Sequence, residues 1–160
     1  MGSDEAAESY EALLRESSVT PALVTTSTSQ PTATSLCLVT PDGQRTMRTC
    51  LGAAQLFSAQ HLPALDGAAL VHLEGYCLFK PEMAAAAMAR AHEAGACVTL
   101  DLASFEAVRH CSDALTALLT GAAVDVLFCN EDEACAVAAV LAPQLRPDAG
   151  EGSKGQGLGR

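Results

Sequence analysis

Four consecutive polar residues, Asn130-Glu131-Asp132-Glu133, stand between the apolar run Val124 to Cys129 and an alanine-rich stretch that reaches Leu141. The run reads as a short buried strand and the stretch as a helix, so the four residues mark a strand end and a helix start. Asn130 there suits the N-cap, and Glu133, three residues on, completes a capping box. Capping accounts for Asn130 and Glu133 but does not require Glu131 and Asp132. The chemical alternative is an acidic helix start that organises Mg²⁺ and its waters near nucleotide phosphates. Mg²⁺ prefers carboxylates, waters and phosphates to an all-protein cage.

Two more carboxylates stand at strand ends. Glu74 closes the run Ala69 to Glu74, and Asp101 lies at the end of Cys97 to Leu102. Open parallel sheets bind ligands beyond the carboxyl ends of their strands. Glu74, Asp101 and the Asn130–Glu133 segment therefore outline an acidic cleft. Each also has a plainer role: Asp101 can cap the turn at Ser104, and Glu74 can simply be solvated rather than pair with a ribose or sugar hydroxyl. Tyr76 and Phe79 read as core or lining residues. Arg45 and Arg48 are three apart in a strand and so project from opposite faces; one can reach a ligand while the other is exposed. His61, His72, His92 and His110 lack metal-ligand spacing, and His72 and His92 read as structural. No P-loop, strand-borne Gly-x-Gly-x-x-Gly or Gly-x-Ser-x-Gly elbow is present.

The elements that must hold these residues have two textures. Residues 22–50 are rich in threonine, serine and valine, which favour strands. They read as strands at 23–29, 33–40 and 44–50, the last two a hairpin about Asp42-Gly43, with one polar, exposed face. A helix at 6–16 precedes them. From about residue 54 the pattern becomes strand 69–74, helix 81–93, strand 97–102, helices 104–110 and 112–119, strand 124–129 and helix 131–141. Pro81 suits a first helical turn, and Gly95 follows the last. The strands are short, apolar and not alternating, which predicts a parallel sheet with helices on both faces and right-handed crossovers. Residues 146–160 are rich in glycine and poor in apolar residues, which predicts a disordered tail.

Composition bounds the function. Aromatic residues make up 4% of the chain and alanine much of its 49% hydrophobic share, so thin helices should lie close to a sheet. A net charge of −10 disfavours nucleic acid and anionic membranes as partners. No run of 18 or more uncharged apolar residues occurs, so no transmembrane span is expected. Seven cysteines, an odd number without a CxxC and mostly within apolar stretches, read as buried free thiols in the cytoplasm or another reducing compartment.

Taken together, several segments resemble the PfkB-type, or ribokinase-like, carbohydrate and nucleoside kinases. Leu38 to Thr49, with Pro41-Asp42-Gly43-Gln44-Arg45-Thr46 at its centre and continuing into Leu51-Gly52-Ala53-Ala54, is similar to the lid hairpin of that family. Leu73-Glu74-Gly75-Tyr76 and Leu100-Asp101-Leu102-Ala103-Ser104-Phe105-Glu106 are similar to two of its strand ends, the second especially in adenosine-kinase-like members. Asn130 and Glu133 match its Asn-x-x-Glu motif. The resemblance spans about residues 6–145. It implies a partial three-layer α/β/α fold with a parallel sheet (about 54–142) and a small antiparallel β lid (about 23–50).

The resemblance implies transfer of the ATP γ-phosphate to a hydroxyl of a sugar or nucleoside. Glu133 would organise Mg²⁺ and its waters with Asp132 beside it, Asn130 would support phosphate binding, and Arg45, Glu74 and Asp101 would stand on the substrate side. Thr32-Ala33-Thr34 stands where many members have a Thr-Gly pair, which leaves the acceptor open. The chain lacks the family's Gly-Ala-Gly-Asp-like segment, which carries the general base and the anion hole, so no catalytic residue is assigned and inactivity alone is expected. A partial sheet exposes edges and calls for a homodimer through the lid or a partner completing the sheet. A non-catalytic interaction or regulatory module derived from that fold is the alternative. An unrelated small α/β domain whose capping residues mimic the motif is a third reading.

Overall fold

The computed structural model describes residues 1–142, so the tail expected at 146–160 lies outside the described residues. The chain divides into two compact units, Met1–Ala64 and Leu65–Arg160.

The first unit opens with helix α1 (Glu5–Glu16), capped by Asp4, whose carboxylate accepts the Ala7 N–H at 3.0 Å. Glu5 and Glu8 in its first turn and Arg15 in its last complement the helix dipole. Strands β1 (Thr34–Val39) and β2 (Arg45–Cys50) form the expected antiparallel ribbon. Gly43 takes φ +85° in its turn, a conformation that glycine enters without a Cβ penalty. Asp42 accepts the Thr40 hydroxyl and the Gln44 N–H, and these hold its carboxyl below the usual range.

The register sets Leu36 opposite Arg48 and Val39 opposite Arg45, so the two arginines do project from opposite faces. The expected single polar face is not found. Every residue of both strands is exposed, with Leu36 and Leu38 on one side and Val39 and Met47 on the other. Leu36 to Val39 is an unbroken apolar run, and a period-two strand must deal such a run to both faces.

The strand expected at 23–29 does not form either. Ser27 Oγ accepts the N–H groups of Ser29 and Gln30 at 3.2 and 3.0 Å, a local turn that competes with a ladder. Val24 and Thr26 pair with the backbone of Met1 instead.

The second unit holds strands β3 (Leu70–Glu74), β4 (Cys97–Asp101) and β5 (Val126–Phe128), parallel and in the order β3-β4-β5. Helix α2 (Pro81–Glu93) joins the first two. Helices α3 (Phe105–His110) and α4 (Ser112–Thr120) join the next two, and α5 (Glu131–Leu141) follows β5. Helix α2 lies on β3 and β4, and its buried residues are Ala84, Ala87, Met88 and Ala91. Three small side chains of four let the helix approach the sheet closely, as the composition predicts.

Helices were expected on both faces of this sheet; among the described residues only one face is covered. Leu73, Val98 and Leu100 are buried on that face, whereas Leu70, Val126 and Phe128 on the other remain 55%, 42% and 50% exposed. The reason is topological. Two right-handed crossovers that advance in the same direction place their helices on the same side.

The cysteines are all free, as expected, but not mostly buried. Only Cys111 is buried; Cys37 and Cys50 lie on the exposed ribbon, Cys129 at a strand end and Cys135 on α5, exposed. No helix among the described residues is long and apolar enough to cross a membrane.

Candidate functional site

The parallel register brings Glu74 and Asp101 side by side at the carboxyl ends of β3 and β4, with Phe128 of β5 next to Asp101. Asn130 follows two residues after Phe128, so the three strand ends named from the sequence do meet along one edge of one sheet. Partial burial raises the Glu74 pKa above the ordinary carboxyl value. The neighbouring Asp101 charge adds to this, and the Tyr76 N–H opposes it. Asp101 accepts the Ala103 N–H at 2.8 Å, the turn-capping role open to it from sequence.

That turn is tight. Ala103 has φ +64° and the Ser104 N–H returns to the Leu102 carbonyl at 2.7 Å. Ser104 then caps α3 by accepting the Ala107 N–H at 3.1 Å. Gly75, the first residue beyond β3, presses against this turn: a Cβ on it would stand 2.3 Å from the Leu102 carbonyl oxygen. Sequence reasoning missed this contact, although a glycine directly after a strand end is the usual sign of close backbone approach.

Tyr76 and Phe79 are neither core nor enclosed. They stack with centroids 6.2 Å apart and planes 17° from parallel, and are 54% and 55% exposed. They form an exposed aromatic pair just after Glu74 in the chain.

At the third strand end the capping box is closed in both directions. Asn130 Oδ1 accepts the Glu133 N–H at 2.9 Å, and Glu133 Oε2 accepts the Asn130 N–H at 2.9 Å. Glu133 is 5% exposed, while Glu131 and Asp132 are exposed. The helix N-terminus favours all three negative charges. Asp132 and Glu133 do not converge. Asp132 opens onto a groove between α3 and α5 with Phe105 and Arg109, whose guanidinium lies 5.1 Å from the centre of the Phe105 ring.

Among the described residues no three His, Cys, Asp or Glu side chains gather as an all-protein metal cage. Arg45 stands in the other unit, on the ribbon. In that unit a shallow groove at the ribbon's base is lined by Ser27, Ser29, Gln30, Cys50 and Gly52, neutral groups suited to hydrogen bonding. The histidines are structural, as expected of two of them: His72 bonds Thr99 Oγ1 at 2.8 Å, and His92 bonds Asp125 at 3.2 Å.

The structure is similar to solved kinases. The adenosine kinase from Sinorhizobium meliloti matches with a TM-score of 0.80 and 26% identity, over 87% of this chain and 44% of that one. The Anopheles gambiae adenosine kinase, solved in complex with P1,P4-di(adenosine-5) tetraphosphate, matches with a TM-score of 0.76 and 26% identity, over 90% of this chain and 44% of that one. A probable sugar kinase from Rhizobium etli CFN 42 shares the fold with a TM-score of 0.79 at 24% identity, over 86% of this chain and 43% of that one. The chain thus spans less than half the length of the solved structures it matches. No curated protein matches the sequence. The model of the pfkB family carbohydrate kinases matches residues 1–149. With that match, the parallel sheet and the antiparallel lid, the chain belongs to the pfkB family of carbohydrate kinases and has its ribokinase-like α/β fold.

Proposed function

We propose that residues 1–160 supply the closing ribbon and the phosphate-side helix of a kinase that moves the γ-phosphoryl group of ATP to a hydroxyl of a sugar or nucleoside. The start of α5 carries this reading. Capping requires one side-chain pair, Asn130 with Glu133, yet Glu131 and Asp132 add two more carboxylates to the same turn. Glu133 has one oxygen committed to the Asn130 N–H, so its charge is fixed in direction. Mg²⁺ takes one or two carboxylates and keeps its waters, so a single carboxylate of this turn suffices to hold it through water. ATP and Mg²⁺, when bound, supply the phosphoryl group and offset its charge.

The remaining residues position and enclose. Asn130 and Glu133 hold the helix start, with Asp132 on its exposed side. Glu74 and Asp101 meet acceptor hydroxyls, and the ribbon that carries Arg45 is the lid of the first unit, an element whose role is to exclude water. The exposed Tyr76–Phe79 pair that follows Glu74 favours a nucleoside, whose base can stack on an exposed ring. Two of the similar structures are adenosine kinases, in agreement with that choice. The 160 residues contain no Gly-Ala-Gly-Asp-like general-base segment, so no turnover is expected of them alone.

The test is isothermal titration of the folded chain with Mg²⁺-ATP. Saturable, Mg²⁺-dependent binding is expected, weakened about tenfold in Glu133→Gln, the loss of one charge-assisted interaction. Absence of binding by a chain that circular dichroism shows to be folded rejects the reading.

A second reading, a non-catalytic interaction module, is favoured by the ribbon, whose apolar residues Leu36, Leu38, Val39 and Met47 are all exposed. It makes the ribbon a dimer contact. Light scattering then finds a dimer that Leu38→Glu disperses. The seven free thiols suit a reducing compartment under either reading.

A further inference from the structure

Side chains alternate along a strand, which sorts the sheet of the second unit into two faces. Leu73, Val98 and Leu100 are buried on the helix-covered one. By the register, the other carries His72 and Glu74 of β3 directly beside Thr99 and Asp101 of β4. Val126 and Phe128 of β5 flank this square of polar residues. His72 and Glu74 are two residues apart, which is about 6.5 Å along a strand, and neighbouring strands are about 4.8 Å apart. One imidazole and two carboxylates therefore share a small patch at the strand ends.

The imidazole is held in place. Its Nδ1 meets the hydroxyl of the buried Thr99 at 2.8 Å, and its ring meets that of Phe128 edge-on with centroids 6.1 Å apart. A hydroxyl both donates and accepts, so a neutral ring whose Nδ1 accepts and a charged ring whose Nδ1 donates can both bond Thr99. His72 can thus change its charge without leaving its place. His61 is the contrast: its Nδ1 accepts the Ser58 N–H at 3.1 Å, a bond that no charged ring can make.

The charges around the patch act in opposite senses. Burial chiefly opposes ionisation of Glu74, and the Asp101 charge adds to it; the Tyr76 N–H and the His72 charge work the other way. The other titratable groups near the patch are Cys97 on β4 and, after Glu74, Cys77 and Lys80. Burial chiefly raises the Cys77 thiol, with the Glu74 charge adding and Lys80 opposing. Strand β5 carries no charged side chain.

We infer that His72 is a positioning residue for the acceptor end of the site, a cation pinned by Thr99 that keeps Glu74 and Asp101 ionised side by side and so able to accept two hydroxyl hydrogen bonds. An imidazole in ordinary surroundings takes up its proton near about pH 6.5. The support therefore grows as pH falls, where the carboxylates would otherwise begin to take up protons. The hydroxyl-binding role of the carboxylates rests on the kinase reading; the coupling of His72 to them does not.

Carboxyl-carbon NMR of Glu74 tests the coupling. His72→Gln keeps a hydrogen-bonding side chain but no charge, and the proton affinity of Glu74 should rise about threefold, the order of one charge at this separation in a solvated patch. His72→Lys loses the ring but keeps a cation, and the affinity should stay at the parent value or below it. A merely structural role would move both variants alike. Thr99→Val unpins the ring and should shift Glu74 in the same direction as His72→Gln, by less. His72 is exposed, so its variants should keep the parent's circular dichroism; Thr99→Val carries the test if they do not.

No rise in His72→Gln, an equal rise in His72→Lys, or a Glu74 indifferent to Thr99→Val each overturns the inference. Adenosine titration of the full chain is read separately. Between pH 7.5 and pH 5 the parent should lose about threefold less affinity than His72→Gln. No adenosine binding, or the same pH dependence in both, rejects the acceptor role of the patch and leaves the His72–Glu74 coupling standing. Adenosine binding without the NMR shift in His72→Gln rejects the coupling and leaves the nucleoside reading standing.

Discussion

Asp4 holds Thr32 by both of that residue's donors. The Thr32 N–H reaches Oδ2 at 2.7 Å and its hydroxyl reaches Oδ1 at 2.6 Å, while Oδ1 also accepts the Ala7 N–H. Thr32 Oγ1 in turn accepts the Gly2 N–H at 3.0 Å. One carboxylate thus ties the start of α1 to the segment leading into the ribbon.

These bonds, the Thr32 hydroxyl first, hold the Asp4 pKa below the ordinary carboxylate value. A depressed folded-state pKa stabilises the protein above the unfolded value, about 4, and that stabilisation is lost as pH falls through the folded value. Asp4→Asn should lower the melting temperature at pH 7 and flatten its fall as the pH drops below about 4. Thr32→Val should do the same more weakly. Melts followed by circular dichroism across that range check both; unchanged acid behaviour in Asp4→Asn contradicts the assignment.

Gly75→Ala should be among the most damaging single-methyl additions in the second unit. Its Cβ meets backbone, Leu102 oxygen at 2.3 Å and carbon at 2.5 Å, and backbone cannot rotate away. A loss of about 3 kcal/mol is expected, at the upper end for overpacking. Ala103→Gly should act in the opposite direction: it relieves a positive φ worth about 1–2 kcal/mol and gives back about 0.5–1 kcal/mol in chain entropy. Urea midpoints of the two variants measure both signs.

Asn130→Ala and Glu133→Gln separate capping from chemistry. The first removes the N-cap and should cost about 1 kcal/mol of stability. The second keeps an acceptor for the Asn130 N–H and should cost only a few tenths. Equal destabilisation by the two in chemical denaturation shows that the Glu133 charge itself is structural.

Glu74 titrates in the other direction from Asp4. Its pKa is raised by partial burial and then by Asp101, so ionising it opposes folding. That penalty is absent below the unfolded pKa, near 4.3, and complete above the folded value. Glu74→Gln should therefore stabilise the chain at pH 7 and leave it unchanged near pH 3. Carboxyl-carbon NMR should also find the Glu74 pKa lowered in Asp101→Asn; no movement shows that burial alone sets it.

The parallel core was legible because its cues are local. Apolar runs ended at Glu74, Asp101 and Cys129, Pro81 opened α2, and Asn130 with Glu133 predicted a box that closes at 2.9 Å both ways. The first unit was less so. Residues 23–29 have strand propensity, but Ser27 turns the backbone with its own hydroxyl, and propensity cannot weigh one against the other. The Gly75–Leu102 contact joins residues 27 apart and leaves no local mark beyond the glycine. Cysteine exposure was misjudged at Cys37 because an apolar run in an isolated ribbon has no core to enter. The separation of Asp132 from Glu133 follows from the turn of the helix, which sends adjacent residues about 100° apart.

The unbroken order β3-β4-β5 has one more consequence. In open α/β sheets the ligand crevice forms where strand order reverses, because crossovers on either side of that point leave toward opposite faces and their loops part. Three strands that advance one way contain no reversal. Glu74, Asp101 and Asn130 therefore line a ledge, open on one side, and the ledge becomes a crevice only when a strand arrives whose helix departs across the uncovered face.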